Sequence, residues 1–183
     1  ELFIVILQEH DNKTPKIIDL GTGSGCIAIT LANHLPYAKV SAVDVSEQAL
    51  QTAKSNALKN DVSVDFYLGD MQDDIFMSNF PKFDVIVSNP PYVCNAEKNE
   101  MRQNVLQYEP HLALFVEDNN PLQFYRTIAH FASKHLAENG SIYCEINETL
   151  GEATRQLFES FGFSKCKIRK DLFGKDRIVK VQK

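Results

Sequence analysis

The stretch Ile17-Ile18-Asp19-Leu20-Gly21-Thr22-Gly23-Ser24-Gly25 decides how this chain is read. A short apolar run ending at Leu20 meets three glycines at alternate positions. Such a run fits a buried strand, and glycines let the backbone turn sharply with positive φ and admit a ligand closely. Behind them, Ile27, Ala28, Leu31 and Ala32 recur at helical spacing between Cys26 and His34. The unit reads as strand, tight loop and helix, with free N–H groups where the helix starts. Its GxGxG spacing is not the GxGxxG of pyrophosphate-binding folds, and a purely structural turn is the plainer alternative.

The alternation continues along the chain. Residues 39–44 read as a strand ending in the acid Asp44. Ser46 reads as the N-cap of a helix to about Lys59, burying Ala49, Leu50, Ala53 and Ala57. Residues 62–68 and 83–88 are further strands. Pro121 opens a helix to Leu136 with Gly140 near its end. A strand follows over 141–146, then a helix over 150–160 stopped by Gly162. Strands over 164–169 and 177–181 flank the turn Leu172-Phe173-Gly174-Lys175. Together these predict an α/β fold with a mostly parallel seven-stranded sheet, helices on both faces and a C-terminal antiparallel hairpin at one edge. Residues 94–120 are polar, acidic and irregular, a long excursion of the kind that is often functional, and their role stays open.

The length of 183 residues suits a single domain over 1–183. The chain lacks an initiator Met and opens on apolar residues, Leu2 to Leu7, that read as part of a helix; the expectation is a piece of a longer protein. No apolar run approaches the ~20 residues that span a bilayer. A net charge of −5 counts against nucleic acid as the main partner. Cys26, Cys94, Cys144 and Cys166 form no CxxC pair, which fits free thiols in a reducing cytoplasm. The five histidines lack zinc-type spacing, so no metal site is expected.

In such sheets ligands bind beyond the carboxyl ends of the strands. Asp44, ending the second strand, is placed to accept hydrogen bonds from both hydroxyls of a ribose; a cap or solvated strand end is the alternative. Asp70, after the third strand, is placed to accept from an adenine amino group while Met71 packs on the ring. Asp19 is placed to organise the glycine loop from behind. A second motif, Asn89-Pro90-Pro91-Tyr92, directly follows the fourth strand. Two prolines hold that loop rigid and leave the Pro90 carbonyl free. With the Asn89 side-chain oxygen it can grip both hydrogens of an –NH2 group, and Tyr92 can stack on a flat acceptor. An amide or aromatic amino nitrogen is a poor nucleophile, so orienting it is the chemical task. The two motifs together suggest a planar amino group held against the methyl of S-adenosylmethionine (SAM).

These residues resemble the class I, Rossmann-like SAM-dependent methyltransferases, and Asn89-Pro90-Pro91-Tyr92 resembles the motif of those that methylate planar amino nitrogens. Three further segments are similar to the release-factor glutamine N5-methyltransferases (the HemK/PrmC family). They are Tyr108 to Leu114 followed by Pro121-Leu122-Gln123-Phe124-Tyr125, then Cys144-Glu145-Ile146-Asn147, and Asp171-Leu172-Phe173-Gly174-Lys175-Asp176-Arg177. The resemblance covers nearly the whole chain. It implies an enzyme that methylates the side-chain amide of the glutamine in the Gly-Gly-Gln motif of peptide-chain release factors, in the cytoplasm, with no stable nucleic-acid partner and no membrane. It implies that Gly21, Thr22, Gly23, Ser24, Gly25, Asp44, Asp70, Met71 and Asn89 surround SAM. Asn89, Pro90, Pro91 and Tyr92 would bind the glutamine, with Asn89, Pro90 and Tyr92 catalytic, and Glu109 would shape the substrate loop. Asn147 stands where the family usually has glycine, and Leu150 where it often has glutamine; both are expected to lie outside the pocket. Family members also carry an N-terminal helical domain that grips the release factor, so the domain alone is expected to bind SAM and methylate poorly. The alternative is an adenine N6-methyltransferase acting on DNA or RNA; a SAM-binding module without turnover and a nicotinamide dehydrogenase fit the motifs less well.

Overall fold

β1 (Lys16–Leu20) lies inside a sheet, paired in parallel with β2 (Lys39–Asp44) on one side and β4 (Phe83–Ser88) on the other. The computed structural model describes residues 2–10, 14–94 and 115–183. Beyond β2 comes β3 (Asp65–Leu68), and beyond β4 comes β7 (Leu136–Glu145), both still parallel. The hairpin of β8 (Lys165–Lys170) and β9 (Asp176–Gln182) completes the sheet, with β9 antiparallel to both β7 and β8. The order is β3-β2-β1-β4-β7-β9-β8, seven strands with a hairpin edge as the sequence predicts. The chain reverses its direction of travel across the sheet between β1 and β4, which creates a crevice at their carboxyl ends.

Both faces are covered because alternate side chains of each strand point opposite ways. Ile17, Val40, Ala42, Val85 and Val87 pack against α1 (Leu2–His10) and α2 (Cys26–His34), with α3 (Glu47–Lys59) beside α2. Ile18, Leu20, Val43, Ile86 and Ile142 face α4 (Asp74–Met77), α5 (Gln123–His135) and α6 (Gly151–Ser160). Phe131, Phe83 and Phe80 form a triangle of rings 6.2 to 6.5 Å apart on that face. At the outer edge, β8 exposes Lys165, Lys167 and Arg169, charges that discourage strand addition.

Several boundaries differ from the sequence reading. β3 starts at Asp65, not at 62, because the Val62 N–H turns back to the Ala57 carbonyl and closes α3. α5 starts at Gln123; Pro121 sits in a preceding turn in which the Gln123 N–H donates to Asn120. β7 starts at Leu136, so Gly140 lies within the strand and does not end a helix. Phe83 pairs with Leu136 but Val85 pairs with Ser141, so residues 137–140 bulge out. A Cβ on Gly140 would come within 3.0 Å of the Asp84 carbonyl, which explains a glycine where two backbones close up again. The short α4 was not predicted; Asp73 caps it, accepting from Ile75 and Phe76 N–H groups. The excursion over 94–120 has paired ends: β5 (Val93–Cys94) and β6 (Phe115–Val116) form a two-residue parallel ladder. Residues 95–114, with Glu109 and the segment Tyr108 to Leu114, lie outside the described residues.

α1 is held by charge as well as by Leu2, Val5 and Ile6. The Glu9 carboxylate accepts from the Tyr143 hydroxyl at 2.7 Å and pairs with the Lys180 ammonium. Partial burial raises the Glu9 pKa, but the Lys180 and Tyr143 hydrogen bonds outweigh it and leave the pKa lowered. A carboxylate depressed in the folded state stabilises above its unfolded value and loses that contribution as pH falls through its folded one. Glu9→Gln is expected to cost about 1 kcal/mol near neutral pH, with the deficit shrinking in acid. Thermal melts of both proteins across the carboxylate range would check this; a deficit that grows in acid would contradict it.

Candidate active site

The site is built on a row of paired strand ends. Leu20 pairs with Val43 on one side and Ser88 on the other, Asp44 pairs with Leu68, and Ser88 pairs with Cys144. Gly21, Gly69 and Asn89 each come next in the chain, so every predicted loop leaves the sheet at one level. Adjacent strands lie about 4.8 Å apart, which puts Gly21 and Asn89 side by side. The buried Ser88 hydroxyl donates to the Leu20 carbonyl at 2.7 Å and ties the two loop roots together.

The glycine loop turns as predicted, with positive φ at Gly21, Gly23 and Gly25. Gly21 and Thr22 N–H groups both donate to the Val43 carbonyl. Gly25 lies so close to α3 that a Cβ would meet Ala53 Cβ at 3.0 Å. A Cβ on Gly21 would meet Met71 at 3.2 Å, whereas one on Gly23 would meet nothing within 4 Å. The loop therefore presents open space above Gly23 with Met71 bordering it. Asp44 ties the loop to the strand end: Oδ2 accepts from Gly23 N–H at 2.7 Å and Oδ1 from Ser46 N–H at 2.8 Å. Each oxygen retains a lone pair for a ligand hydroxyl. Asp70 is exposed and accepts from Gln72 N–H at 2.8 Å.

Asp19 sits behind the loop, fully buried, accepting from the Thr22 hydroxyl at 2.7 Å. Burial pushes its carboxyl up to about 7, against the pull of Thr22 and the Ala28 N–H and with a further push from Asp44.

On the acceptor side, Pro90 is buried while Asn89 is exposed. Among the described residues no hydrogen bond occupies the Pro90 carbonyl or the Asn89 side chain. Tyr92 is half-buried, and its hydroxyl donates to Glu145 Oε1 at 2.8 Å. Burial, then the Glu145 carboxylate, drive the Tyr92 phenol pKa far up, so Tyr92 is a fixed neutral donor and not a base. Arg177 stands close enough to act on both Tyr92 and Glu145, and reaches Asp171 at 3.3 Å. The Tyr125 hydroxyl donates to the Glu145 carbonyl at 3.0 Å. Asn147 donates to the Tyr92 carbonyl at 3.2 Å, so this departure does touch the acceptor loop, contrary to the sequence expectation. Ser88, Glu145, Asn147 and Arg177 were not assigned roles from sequence. Their segments stood out there, but nothing in a linear reading joins residues 53 or more apart.

The model of the methyltransferase small domain matches residues 1–112. The chain belongs to the methyltransferase small domain family. It is 52% identical over 92% of its length to a protein named release factor glutamine methyltransferase from Flavobacterium psychrophilum, spanning 59% of that protein. It is 44% identical over 98% of its length to one of the same name from Bacteroides thetaiotaomicron, spanning 64% of it. The chain thus spans less than two thirds of these relatives. A methyltransferase structure from Pyrococcus furiosus superposes with a TM-score of 0.69 at 20% identity, covering 97% of this chain and 79% of that one. The fold is that of the class I methyltransferases.

In this methyltransferase domain the predicted residues Gly21 to Gly25, Asp44, Met71 and Asn89 stand on one edge of the sheet, with Asp70 after β3. No cluster of three or more metal-ligating side chains occurs among the described residues. No described helix is long and apolar enough to cross a membrane. Cys26, Cys144 and Cys166 are free thiols.

The Asp19 geometry sets a pH dependence. A carboxyl raised in the folded state makes stability fall as pH rises between its unfolded value, 3.8, and its folded value, about 7. Asp19→Asn removes the ionisation. Its melting temperature relative to the parent is expected to climb between about pH 4 and about pH 7 and to level off above that. A difference that stays constant across that range would show that the folded Asp19 carboxyl is already ionised there, with no raised pKa.

Proposed function

We propose that the full-length protein transfers the methyl group of SAM to the side-chain amide nitrogen of the glutamine in the Gly-Gly-Gln motif of peptide-chain release factors. The observation that carries this reading is the side-by-side emergence of the glycine loop and Asn89-Pro90 from paired ends Leu20 and Ser88. The names of the relatives support the substrate. In this reading the enzyme works in the cytoplasm, where peptide chains are terminated.

The residues fit the cofactor. Open space above Gly23, the remaining lone pairs of Asp44, and Met71 beside Gly21 suit an amino-acid chain, a ribose and an adenine respectively. Exposed Val45 adds an apolar surface beside Asp44. When bound, SAM supplies a methyl carbon made electrophilic by its sulfonium. The Asn89 side-chain oxygen and the Pro90 carbonyl accept the two amide hydrogens and aim the nitrogen's lone pair at that carbon. Transfer of that methyl to the nitrogen would leave the carbon–sulfur electron pair on S-adenosylhomocysteine, and the surplus nitrogen proton would pass to solvent water beside the exposed Asn89. Both acceptors favour the positive charge that develops on nitrogen before the proton goes. Tyr92, fixed by Glu145, walls the pocket.

Three tests separate the parts. Mass spectrometry of a release factor incubated with SAM and the full-length protein should find one added methyl on the Gly-Gly-Gln glutamine. Methylation of nucleic-acid adenine in its place would overturn the substrate. Asn89→Ala should lower turnover by about 10²- to 10³-fold while SAM affinity stays within a few-fold. Asp44→Ala should mainly weaken SAM binding, and unchanged affinity in calorimetry would remove Asp44 from the ribose site.

A further inference from the structure

The turn between β8 and β9 carries two large apolar side chains that the fold does not use. Leu172 and Phe173 are 91% and 87% exposed, the most exposed of the large hydrophobic residues described. The turn beneath them is built to be rigid. The Asp171 carboxylate accepts from Phe173 N–H at 2.9 Å and Lys175 N–H at 3.0 Å. Asp171 N–H donates to the Lys175 carbonyl, Gly174 N–H donates to the Asp171 carbonyl, and Gly174 has φ +80. Lys170 donates to the Gly174 carbonyl from the side. An apolar side chain on a rigid, exposed turn contributes nothing to folding, but its backbone has little entropy left to lose on binding.

Its placement says what it meets. β9 runs antiparallel to β7, and Glu145, the last residue of β7, pairs with Ile178 near the start of β9. The turn therefore projects from the same sheet edge as Asn89-Pro90-Pro91-Tyr92. Two to three strand spacings, about 10 to 15 Å, separate it from the end of β4. It is also joined to the acceptor loop: Asp171 holds Arg177, and Arg177 stands against Tyr92 and the Glu145 that binds Tyr92. A macromolecule that inserts one side chain between Asn89 and the glycine loop covers this edge.

We infer that Leu172 and Phe173 form a docking point for the protein that carries the acceptor glutamine, engaging an apolar patch of that protein beside its Gly-Gly-Gln loop. The inference rests on the glutamine reading above. A buried Phe contributes ~150 Å² or more of contact, the scale of an interface hot spot.

The experiment is steady-state methylation of a whole release factor by the full-length protein and by its Leu172→Ser/Phe173→Ser variant. The variant should raise KM for the release factor at least about tenfold, with kcat, SAM affinity and melting temperature close to the parent's. Phe173→Leu, which keeps an apolar side chain, should recover most of the loss. An unchanged KM, or a fall in kcat alone, overturns the docking role. If the variant abolishes a concentration-dependent dimer in sedimentation and leaves KM unchanged, the turn joins copies of the protein and the proposal also fails. Parent turnover on the factor tests the glutamine reading separately: no parent turnover sinks both, while parent turnover with an indifferent variant sinks the docking role alone.

Discussion

The pairing of Leu20 with Ser88, sealed by the Ser88 hydroxyl on the Leu20 carbonyl, is the constraint on which the site depends. Two loops of unrelated chemistry start from these residues. One is bare backbone with positive φ at Gly21, Gly23 and Gly25, and the other is stiffened by two prolines. A slip of one residue between β1 and β4 would carry Ile86 to the opposite face, where Val85 and Val87 already pack, so the packing of both faces enforces the register. The reaction geometry inherits its accuracy from that packing, and the loops need little intrinsic order beyond the glycines and prolines they contain.

Around the acceptor loop the protein spends polar groups instead of apolar ones. Glu145 receives Tyr92, Tyr125 binds the backbone of Glu145, and Asn147 holds the Tyr92 carbonyl. Such a network is costly unless each member is satisfied, but once complete it admits few alternative arrangements. At the glycine loop the same economy appears in Asp44, which fastens Gly23 with one carboxylate oxygen and Ser46 with the other. Asp19 is the exception, a carboxyl buried deeply enough that its proton becomes part of its role.

The sheet was legible because its strands are short apolar runs punctuated by glycine, proline or an acid, and these signals are local. Lys16–Leu20, Lys39–Asp44 and Phe83–Ser88 stand where the sequence places them. Gly140 misled because a glycine after a helix usually ends it, whereas here it lets β7 bulge against Asp84. The short α4 was invisible because four residues carry no periodicity, and only the Asp73 cap marks them. In the site, the residues next to strand ends were readable from position alone. Glu145, Asn147 and Arg177 were not, because their partner Tyr92 is distant in sequence and the contacts exist only once β7 and β9 are in place.

The position of β9 bears on how the molecule assembles. It follows every other strand in sequence, yet it lies inside the sheet between β7 and β8. During synthesis β8 leaves the ribosome first and has no neighbour to pair with until β9 arrives. The ion pair between Lys180 and Glu9 closes across 171 positions of sequence. Contacts of that span make folding slow, since chain entropy is lost before any contact repays it. The sheet can therefore grow from β1 to β7 while the chain is still being made, but Arg177 reaches Tyr92 only at the end. The support that Arg177 gives Tyr92 therefore depends on β9 closing against β7, a contact that β1, β2 and β4 do not need for their own pairing.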